Sequence, residues 1–202
     1  VKSDLMRSLV IVVDMQRDFV MASGALPVPD AEAIVAPAQA WLAALDPVET
    51  AGVLFTFDTH DPAIYAGSPE SEQFPIHCIR GTAGWETMLD WRAIDARIPV
   101  HALDKGVFDM WAEPDGRIRD LRNASAGPRP RDSFFADLKA QGITRATVIG
   151  VAADYCVRWA VDGLIARGFA ATVPAALTRG ITRDFAEVIE QDFAGKAVRL
   201  MA

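Results

Sequence analysis

Short, strongly apolar runs alternate with longer segments of helical periodicity along the whole chain, and this alternation most constrains the fold. The runs are rich in β-branched residues, as in residues 9–13 (LVIVV) and 53–57 (VLFTF). A strand that is apolar at every position has both faces buried, and such strands belong to parallel sheets covered by helices on both sides. The pattern therefore predicts repeated βαβ units.

Six strands and four helices are predicted from this pattern. The strands span residues 9–13, 53–57, 100–103, 146–149, 170–173 and 197–200. The helices span residues 30–45, 133–141, 154–167 and 182–193, and the second and third end at glycines, as helices often do. We predict an α/β fold with a doubly wound, mostly parallel, six-stranded sheet and helices on both faces.

Length and composition favour one globular domain over residues 1–202. With 51% hydrophobic and 23% charged residues, the chain is neither disordered nor collagen-like. A net charge of -7 disfavours binding to nucleic acid or to an anionic membrane, so a small-molecule partner is expected. The two cysteines, Cys78 and Cys156, form no CxxC pair, which argues against a disulfide framework and favours a reducing compartment.

Two stretches are predicted to be loops. Residues 59–99 show little periodicity and are expected to form a long functional loop rather than a second domain. Residues 114–131 are expected to form another loop, whose arginines most simply lie on a solvated surface: Arg117, Arg119, Arg122, Arg129 and Arg131. No apolar run reaches the ~18 residues of a transmembrane helix, and the start VKSDLMRS lacks the pattern of a secretory signal, so a cytoplasmic location is expected.

Polar residues directly after predicted strands are the first candidates for chemistry, because open parallel sheets bind ligands at the carboxyl ends of their strands. Asp14 follows the first strand, Lys105 follows the third, and Cys156 lies just past the fourth at the start of a helix. A helix N-terminus and a nearby lysine would lower the pKa of a thiol, and a carboxylate could accept its proton. Each residue also has a simpler interpretation, as a cap, a surface charge or a small buried side chain.

Asp58, His60 and His77 form a second candidate set. One carboxylate and two imidazoles make a mixed donor set suited to Zn²⁺, Fe²⁺ or Mn²⁺, with coordination positions left open. The alternative is a capping aspartate with hydrogen-bonded loop histidines. Cys78, adjacent to His77, is expected to point away into packing. Neither Gly-rich phosphate-binding motif occurs in the sequence, so a nucleotide site has no local support.

Five segments together resemble the successive motifs of the isochorismatase-like cysteine hydrolases. They are VIVVDMQRDFV, TFDTHD, FPIHCIRGTAGWE, DKG and GVAADYCVRWAVDGLIARGF, which extend over about residues 8–185. The Asp-Thr-His triplet with a later histidine is most similar to the nicotinamidase (pyrazinamidase) branch of that superfamily. The resemblance implies the isochorismatase-like, Rossmann-like three-layer version of the predicted fold.

The resemblance also implies a role for each catalytic candidate. Cys156 would be the nucleophile, Asp14 the general base and acid, and Lys105 the cation that aligns them. The backbone N–H groups of Ala152 and Cys156 would form the oxyanion hole, and the peptide bond between Val151 and Ala152 is expected to be cis.

One divalent metal ion is implied as a cofactor, with zinc expected first and iron or manganese as alternatives. The implied protein ligands are Asp58, His60 and His77. Glu70 or Glu72 could add a further ligand, and the two are not distinguished. The side chains expected to flank the substrate ring are Phe19 and Phe74.

The activity implied is that of a metal-assisted cysteine amidohydrolase, which converts nicotinamide to nicotinate and ammonia through a thioester, as in NAD salvage. A homo-oligomer is expected. Residues 106–121 depart from the usual segment after the family's lysine, so another small-amide or carbamoyl hydrolase of the superfamily is the first alternative. A non-catalytic α/β ligand-binding protein is a further alternative, disfavoured by the complete set of Asp14, Lys105 and Cys156. Metal-free isochorismatase activity is disfavoured, because it would use neither Cys156 nor the predicted metal ligands.

Overall fold

A single sheet contains the nine strands described in this computed structural model, which describes residues 7–202. The strands are β1 (Ser8–Val13), β2 (Thr50–Asp58), β3 (Val100–Lys105), β4 (Arg117–Asp120), β5 (Arg129–Pro130), β6 (Arg145–Val151), β7 (Ala170–Pro174), β8 (Thr178–Arg179) and β9 (Val198–Met201). Their order is β5-β4-β3-β2-β1-β6-β7-β9, and β8 pairs with β6. Residues 1–6, on which part of the argument against a secretory signal rests, lie outside the described residues.

The six predicted strands are confirmed as β1, β2, β3, β6, β7 and β9, and neighbouring members all pair in parallel. From β1 the chain first adds strands on one side and later on the other, so the order reverses between β1 and β6. This is the doubly wound arrangement, and the point of reversal is where ligands bind in such sheets. The predicted fold class is confirmed.

The prediction of a loop over residues 114–131 is wrong in part, because β4 and β5 lie within it. They extend the sheet beyond β3 as antiparallel strands. Both are short and rich in arginine, so they lack the apolar run that marks the other strands. Arg131 is also buried rather than solvated, and its guanidinium donates to the carbonyl oxygens of Met110 (2.6 Å) and Glu113 (3.0 Å).

Six α-helices are described in the same residues: α1 (Arg17–Val20), α2 (Val35–Ala43), α3 (Pro62–Tyr65), α4 (Arg131–Ala140), α5 (Arg158–Ala166) and α6 (Phe185–Asp192). The predicted helix over 30–45 begins as a 3₁₀ turn, Ala31–Ile34, and the one over 154–167 begins as a π-helical turn, Ala153–Val157. Residues 59–99 contain α3 and several 3₁₀ turns. None of the helices in the described part of the chain has the length and apolar character needed to cross a membrane.

Side chains of β1 alternate between two hydrophobic cores, one on each face of the sheet. Leu9, Ile11 and Val13 pack into the core under α4, α5 and α6, whereas Val10 and Val12 pack into the core under α2. Burying one such side chain contributes about 1.5–3 kcal/mol. This central strand therefore gives the sheet a rigid middle, from which the chain emerges at Asp14.

Candidate active site

The carboxyl ends of four neighbouring strands bring charged and reactive side chains together. Asp14 follows β1 directly, Asp58 ends β2, Lys105 ends β3, and Cys156 lies in the π-helical turn after β6. The strand order β3-β2-β1-β6 makes these positions neighbours. All four residues are buried, none with more than 5% of its surface exposed.

Lys105 lies at the centre of this group. Its Nζ is 2.8 Å from Asp14 Oδ2 and 3.3 Å from Asp58 Oδ1, and it donates to Cys156 Sγ at 3.6 Å. Burial alone would lower the pKa of the ammonium, but the two carboxylates outweigh it and hold the pKa of Lys105 well above its usual range. The lysine is therefore charged. It contacts both Asp14 and Cys156, the other two residues predicted to be catalytic.

The Asp14 carboxylate is held in place from two sides. Thr56 Oγ1 donates to Asp14 Oδ1 at 2.6 Å, while Oδ2 forms the ion pair with Lys105. The backbone of Asp14 has a φ of 47°, a left-handed conformation that aspartate adopts more readily than most residues. Oδ2 accepts no well-aligned hydrogen bond from any described residue, so it keeps a lone pair with which to take a proton.

The expectation of a lowered thiol pKa is wrong for Cys156. Burial raises the pKa of this thiol well above its usual range, and the nearby Asp14 and Asp58 charges raise it further. Lys105 lowers the pKa but does not compensate for these effects. The resting group is therefore a neutral thiol, and it needs a base before it can act as a nucleophile.

The segment around Cys156 has the backbone form expected from the resemblance. The peptide bond between Val151 and Ala152 is cis, which confirms that expectation. Ala152 O accepts hydrogen bonds from Tyr155 N and Val157 N, both at 3.1 Å. Neither bond uses the N–H group of Cys156, which lies between these two residues in the chain.

The side chain of Asp154 anchors this segment to the chain before α6. Asp154 was not among the site residues predicted from the sequence. Its carboxylate accepts from the backbone N–H groups of Ile181, Thr182 and Arg183 at 2.8–3.1 Å. The Thr182 hydroxyl donates to it as well, at 2.8 Å. Burial would raise the pKa of Asp154, but these hydrogen bonds prevail and lower it.

A second cluster adjoins Lys105 through Asp58. One ligand atom from each of Asp58, His60, Glu70 and His77 lies within 4.8 Å of the other three, and all four residues are buried. His60 Nε2 is 3.1 Å from Asp58 Oδ2 and 3.0 Å from Glu70 Oε2, and His77 Nε2 is 2.9 Å from Asp58 Oδ2. Of the two glutamates left open by the sequence, Glu70 faces this cluster and Glu72 is exposed.

The chemistry of this cluster fits a divalent metal ion. His77 Nδ1 lies 2.8 Å from Pro75 O, and donating that hydrogen bond leaves Nε2 of a neutral ring with a lone pair aimed at Asp58. Both carboxylate oxygens of Glu70 are buried and accept no well-aligned hydrogen bond from the described residues. Two carboxylates and two imidazoles whose ligand atoms converge are a donor set that zinc accepts, with both imidazoles neutral when the metal is bound.

His60 responds strongly to the carboxylates of this cluster. Burial opposes its protonation, but the hydrogen bond to Asp58 and the nearby carboxylate charges of Asp58 and Glu70 raise the pKa of His60 to about 9. Asp58 itself stays ionised. Burial would raise its pKa, yet the Lys105 charge and the two histidines hold it below its usual range.

An aromatic ring packs against the second cluster, and three others, including that of Tyr155, pack together. Phe19 packs against His77 with ring centroids 5.1 Å apart. Phe74 contacts Phe108 at 5.6 Å and Tyr155 at 5.4 Å, and the latter two are 5.4 Å apart. The sequence prediction included Phe19 and Phe74 but missed the other two rings, although Tyr155 adjoins Cys156 in the chain.

Comparisons with known proteins agree with this architecture. A family model for the Isochorismatase domain matches residues 8–118, more than half of the chain. The nicotinamidase/pyrazinamidase of Mycobacterium tuberculosis is 28% identical over 201 residues, covering 97% of this chain and 98% of its own. The crystal structure of pyrazinamidase of Pyrococcus horikoshii in complex with zinc is 26% identical and has a TM-score of 0.68, covering 96% of this chain and 98% of that chain.

The structure of PnC1 from L. infantum in complex with nicotinate shows the same fold at 21% identity. Its TM-score is 0.72, and the match covers 100% of this chain and 95% of that chain. The family match extends from β1 to β4 and so includes Asp14, Asp58 and Lys105. The chain therefore belongs to the isochorismatase domain family and is a nicotinamidase-like amidohydrolase.

Proposed function

We propose that this enzyme hydrolyses nicotinamide to nicotinate and ammonia through a thioester on Cys156. The observation that carries the proposal is the position of Lys105 Nζ, 2.8 Å from Asp14 Oδ2 and 3.6 Å from Cys156 Sγ, beside a buried set of four metal-ligating side chains. The nicotinamidase relatives support the substrate, which would place the enzyme in NAD salvage.

The first half of the reaction begins with proton transfer. Asp14 takes the thiol proton, and the sulfur forms a bond to the carboxamide carbon of the substrate. Because burial raises the pKa of Cys156, the neighbouring Lys105 charge is needed to stabilise the thiolate as it forms. Lys105 donates to the sulfur, so the thiol's own hydrogen is directed elsewhere.

Collapse of the tetrahedral intermediate releases ammonia. The backbone N–H groups of Ala152 and Cys156 stabilise the negative oxygen. The carbon–nitrogen bond breaks as Asp14 returns its proton to the leaving nitrogen. In the second half, Asp14 takes a proton from water, which attacks the thioester carbon. The carbon–sulfur bond breaks as Asp14 returns that proton to the sulfur, and the nicotinic acid loses its own proton to solvent and leaves as nicotinate.

Asp58, His60, Glu70 and His77 would hold the metal ion, with zinc proposed first. When bound, a divalent ion supplies a Lewis-acid site for the ring nitrogen of a pyridine carboxamide. Phe19 and Phe74 would flank the ring. Because Asp58 also contacts Lys105 at 3.3 Å, the ligand set and the catalytic group share one carboxylate, which fixes their spacing.

An ammonia-release assay over a carboxamide panel, with elemental analysis of protein purified without chelator, tests this proposal. We expect turnover of nicotinamide and pyrazinamide, slow turnover of benzamide because it lacks the ring nitrogen, and one metal ion per chain. Hydrolysis of a carbamoyl substrate without turnover of nicotinamide would favour another amidase of the superfamily. Equal turnover of nicotinamide and benzamide by metal-free protein would remove the metal from the proposal.

A further inference from the structure

Gln16, two residues after Asp14, forms hydrogen bonds to the backbone of Asp58 through its side-chain amide. Its Oε1 accepts from Asp58 N at 2.7 Å, and its Nε2 donates to Asp58 O at 2.8 Å. The same Nε2 donates to Trp85 O at 2.9 Å. Gln16 is fully buried, and both of its bonds to Asp58 are buried as well.

These bonds continue the sheet beyond the end of its backbone pairing. β1 pairs with β2 as far as Val13 and Thr56, and Asp14 N then donates to Thr56 O at 3.3 Å. After Asp14 the chain turns away, so no strand residue remains to pair with Asp58 on this side. A side-chain amide carries one acceptor and a donor, as a peptide unit does, and Gln16 supplies the missing pairing.

The opposite side of Asp58 is already held by the sheet. Asp58 pairs with Lys105 in β3, and Thr59 N donates to Lys105 O at 2.8 Å. Gln16 thus completes the restraint of the backbone from which the Asp58 carboxylate projects. That carboxylate lies within 3.3 Å of His60, His77 and Lys105, so a small shift of this backbone would alter three contacts together.

We infer that Gln16 is a positioning residue that sets the metal affinity of the cluster by fixing the Asp58 backbone. This inference rests on the metal part of the proposed function. Residues that hydrogen-bond to metal ligands and orient them typically contribute about 10–100-fold to metal affinity. A merely structural glutamine would alter the stability of the fold and leave the metal affinity unchanged.

The chain offers a matched control in Gln39, which makes the same pair of bonds to another aspartate. Gln39 Nε2 donates to Asp90 O at 3.2 Å and Oε1 accepts from Asp90 N at 2.7 Å, but at the protein surface. Methionine has nearly the length of glutamine and makes neither bond. Gln16→Met therefore removes the pair of hydrogen bonds to Asp58 behind the cluster, and Gln39→Met removes the equivalent pair to Asp90 at the surface.

The measurement is the zinc dissociation constant of each protein, by competition with a chromophoric chelator, together with urea unfolding of the metal-free forms. We expect Gln16→Met to weaken zinc binding about 10–100-fold. Gln39→Met, a surface change, should stay within about twofold of wild type. Should Gln16→Met not fold, Gln16→Asn keeps the polarity but is too short to reach both backbone groups, and the same weakening is expected.

Three outcomes contradict the inference, and each has a different meaning. Wild-type affinity in a folded Gln16 variant, with zinc bound by the wild-type protein, would overturn the positioning role alone. A wild-type protein that binds no zinc would overturn both this role and the metal part of the proposed function. Equal weakening in the Gln16 and Gln39 variants would also overturn it, because the effect would then be general.

Discussion

Cys156 and Cys78 are both free and buried, yet their surroundings differ in charge. Lys105 Nζ lies 3.6 Å from the sulfur of Cys156. The surroundings of Cys78 are dominated by carboxylates, and Asp18 Oδ2 accepts a hydrogen bond from Cys78 N at 2.7 Å. Burial and nearby carboxylates raise the pKa of both thiols. Lys105 lowers both pKa values, but it is the strongest charge acting on Cys156 and ranks behind three carboxylates at Cys78.

The comparison shows that burial does not separate a reactive cysteine from a packing one. The difference lies in the neighbours: a cation to stabilise a thiolate and a carboxylate oxygen free to take its proton. Both are present beside Cys156 at the carboxyl ends of the strands. Cys78 instead packs into the core under α2, as expected from its position next to His77.

The largest effect is expected from replacing the two thiols. Cys156→Ala should lower kcat for nicotinamide by roughly 10⁴-fold or more, because it removes the nucleophile. Cys78→Ala should leave kcat within about tenfold of wild type and cost about 1–2 kcal/mol of stability, as a small buried truncation does. Steady-state ammonia release and urea unfolding give both quantities. Comparable losses of kcat in the two variants would abolish the distinction between the thiols.

The two aspartates near these cysteines sharpen the comparison. Asp14→Asn keeps the shape but removes the base, so kcat should fall by about 10²–10⁴-fold. Asp18→Asn retains an oxygen that can accept from Cys78 N, and its kcat should fall much less. A near-normal kcat in Asp14→Asn would reduce this carboxylate to a structural role.

His77 tests what the Cys78 region contributes to the reaction. His77→Ala removes a ligand itself, so it should weaken metal binding by more than the roughly 10–100-fold typical of residues behind a ligand. The KM for nicotinamide should rise, whereas that for benzamide should change little. Metal occupancy after gel filtration and paired KM values check this. Full occupancy in the variant would exclude His77 from the ligand set.

The smallest effect concerns stability and pH at the segment that carries Cys156. The pKa of Asp154 is lowered by its hydrogen bonds, so its contribution is present above its ordinary pKa of 3.8 and is lost as the pH falls through the lower value in the folded protein. Asp154→Asn should therefore cost about 1–3 kcal/mol near neutral pH. The cost should shrink in acid.

Urea unfolding of wild type and Asp154→Asn at neutral pH and in acid measures this difference. The Asp162→Asn variant is a suitable control, since Asp162 forms an exposed ion pair with Lys196 at 3.3 Å, for which only a small effect is expected. A pH-independent cost of Asp154→Asn would show that its charge contributes nothing.

The sequence predicts those parts of the fold that depend on apolar runs. The six predicted strands were found from apolar segments, whereas β4 and β5 could not be recognised because an exposed antiparallel edge tolerates arginine at most positions. Asp14, Lys105 and Cys156 could be proposed because each directly follows a strand. Their distances depend on the strand order, which periodicity does not reveal.

Two features of the site depend on tertiary structure that no local pattern encodes. Glu70 and Glu72 lie in the same 3₁₀ turn, and only the packing of that turn decides which one is buried beside His60. The pKa of Cys156 also depends on tertiary structure. A helix start and a lysine suggest a lowered value, but complete burial between carboxylates reverses the direction.

The most direct test of the central claim is partitioning of the reaction by hydroxylamine. A thioester on Cys156 can be taken by either water or hydroxylamine, so the wild-type enzyme should divide nicotinamide between nicotinate and nicotinohydroxamate, and the hydroxamate share should rise with hydroxylamine concentration. Cys156→Ala should form neither product above the uncatalysed rate, and Cys78→Ala should behave as wild type. Nicotinate alone from the wild-type enzyme at every hydroxylamine concentration, or turnover by Cys156→Ala, would contradict covalent catalysis by this cysteine.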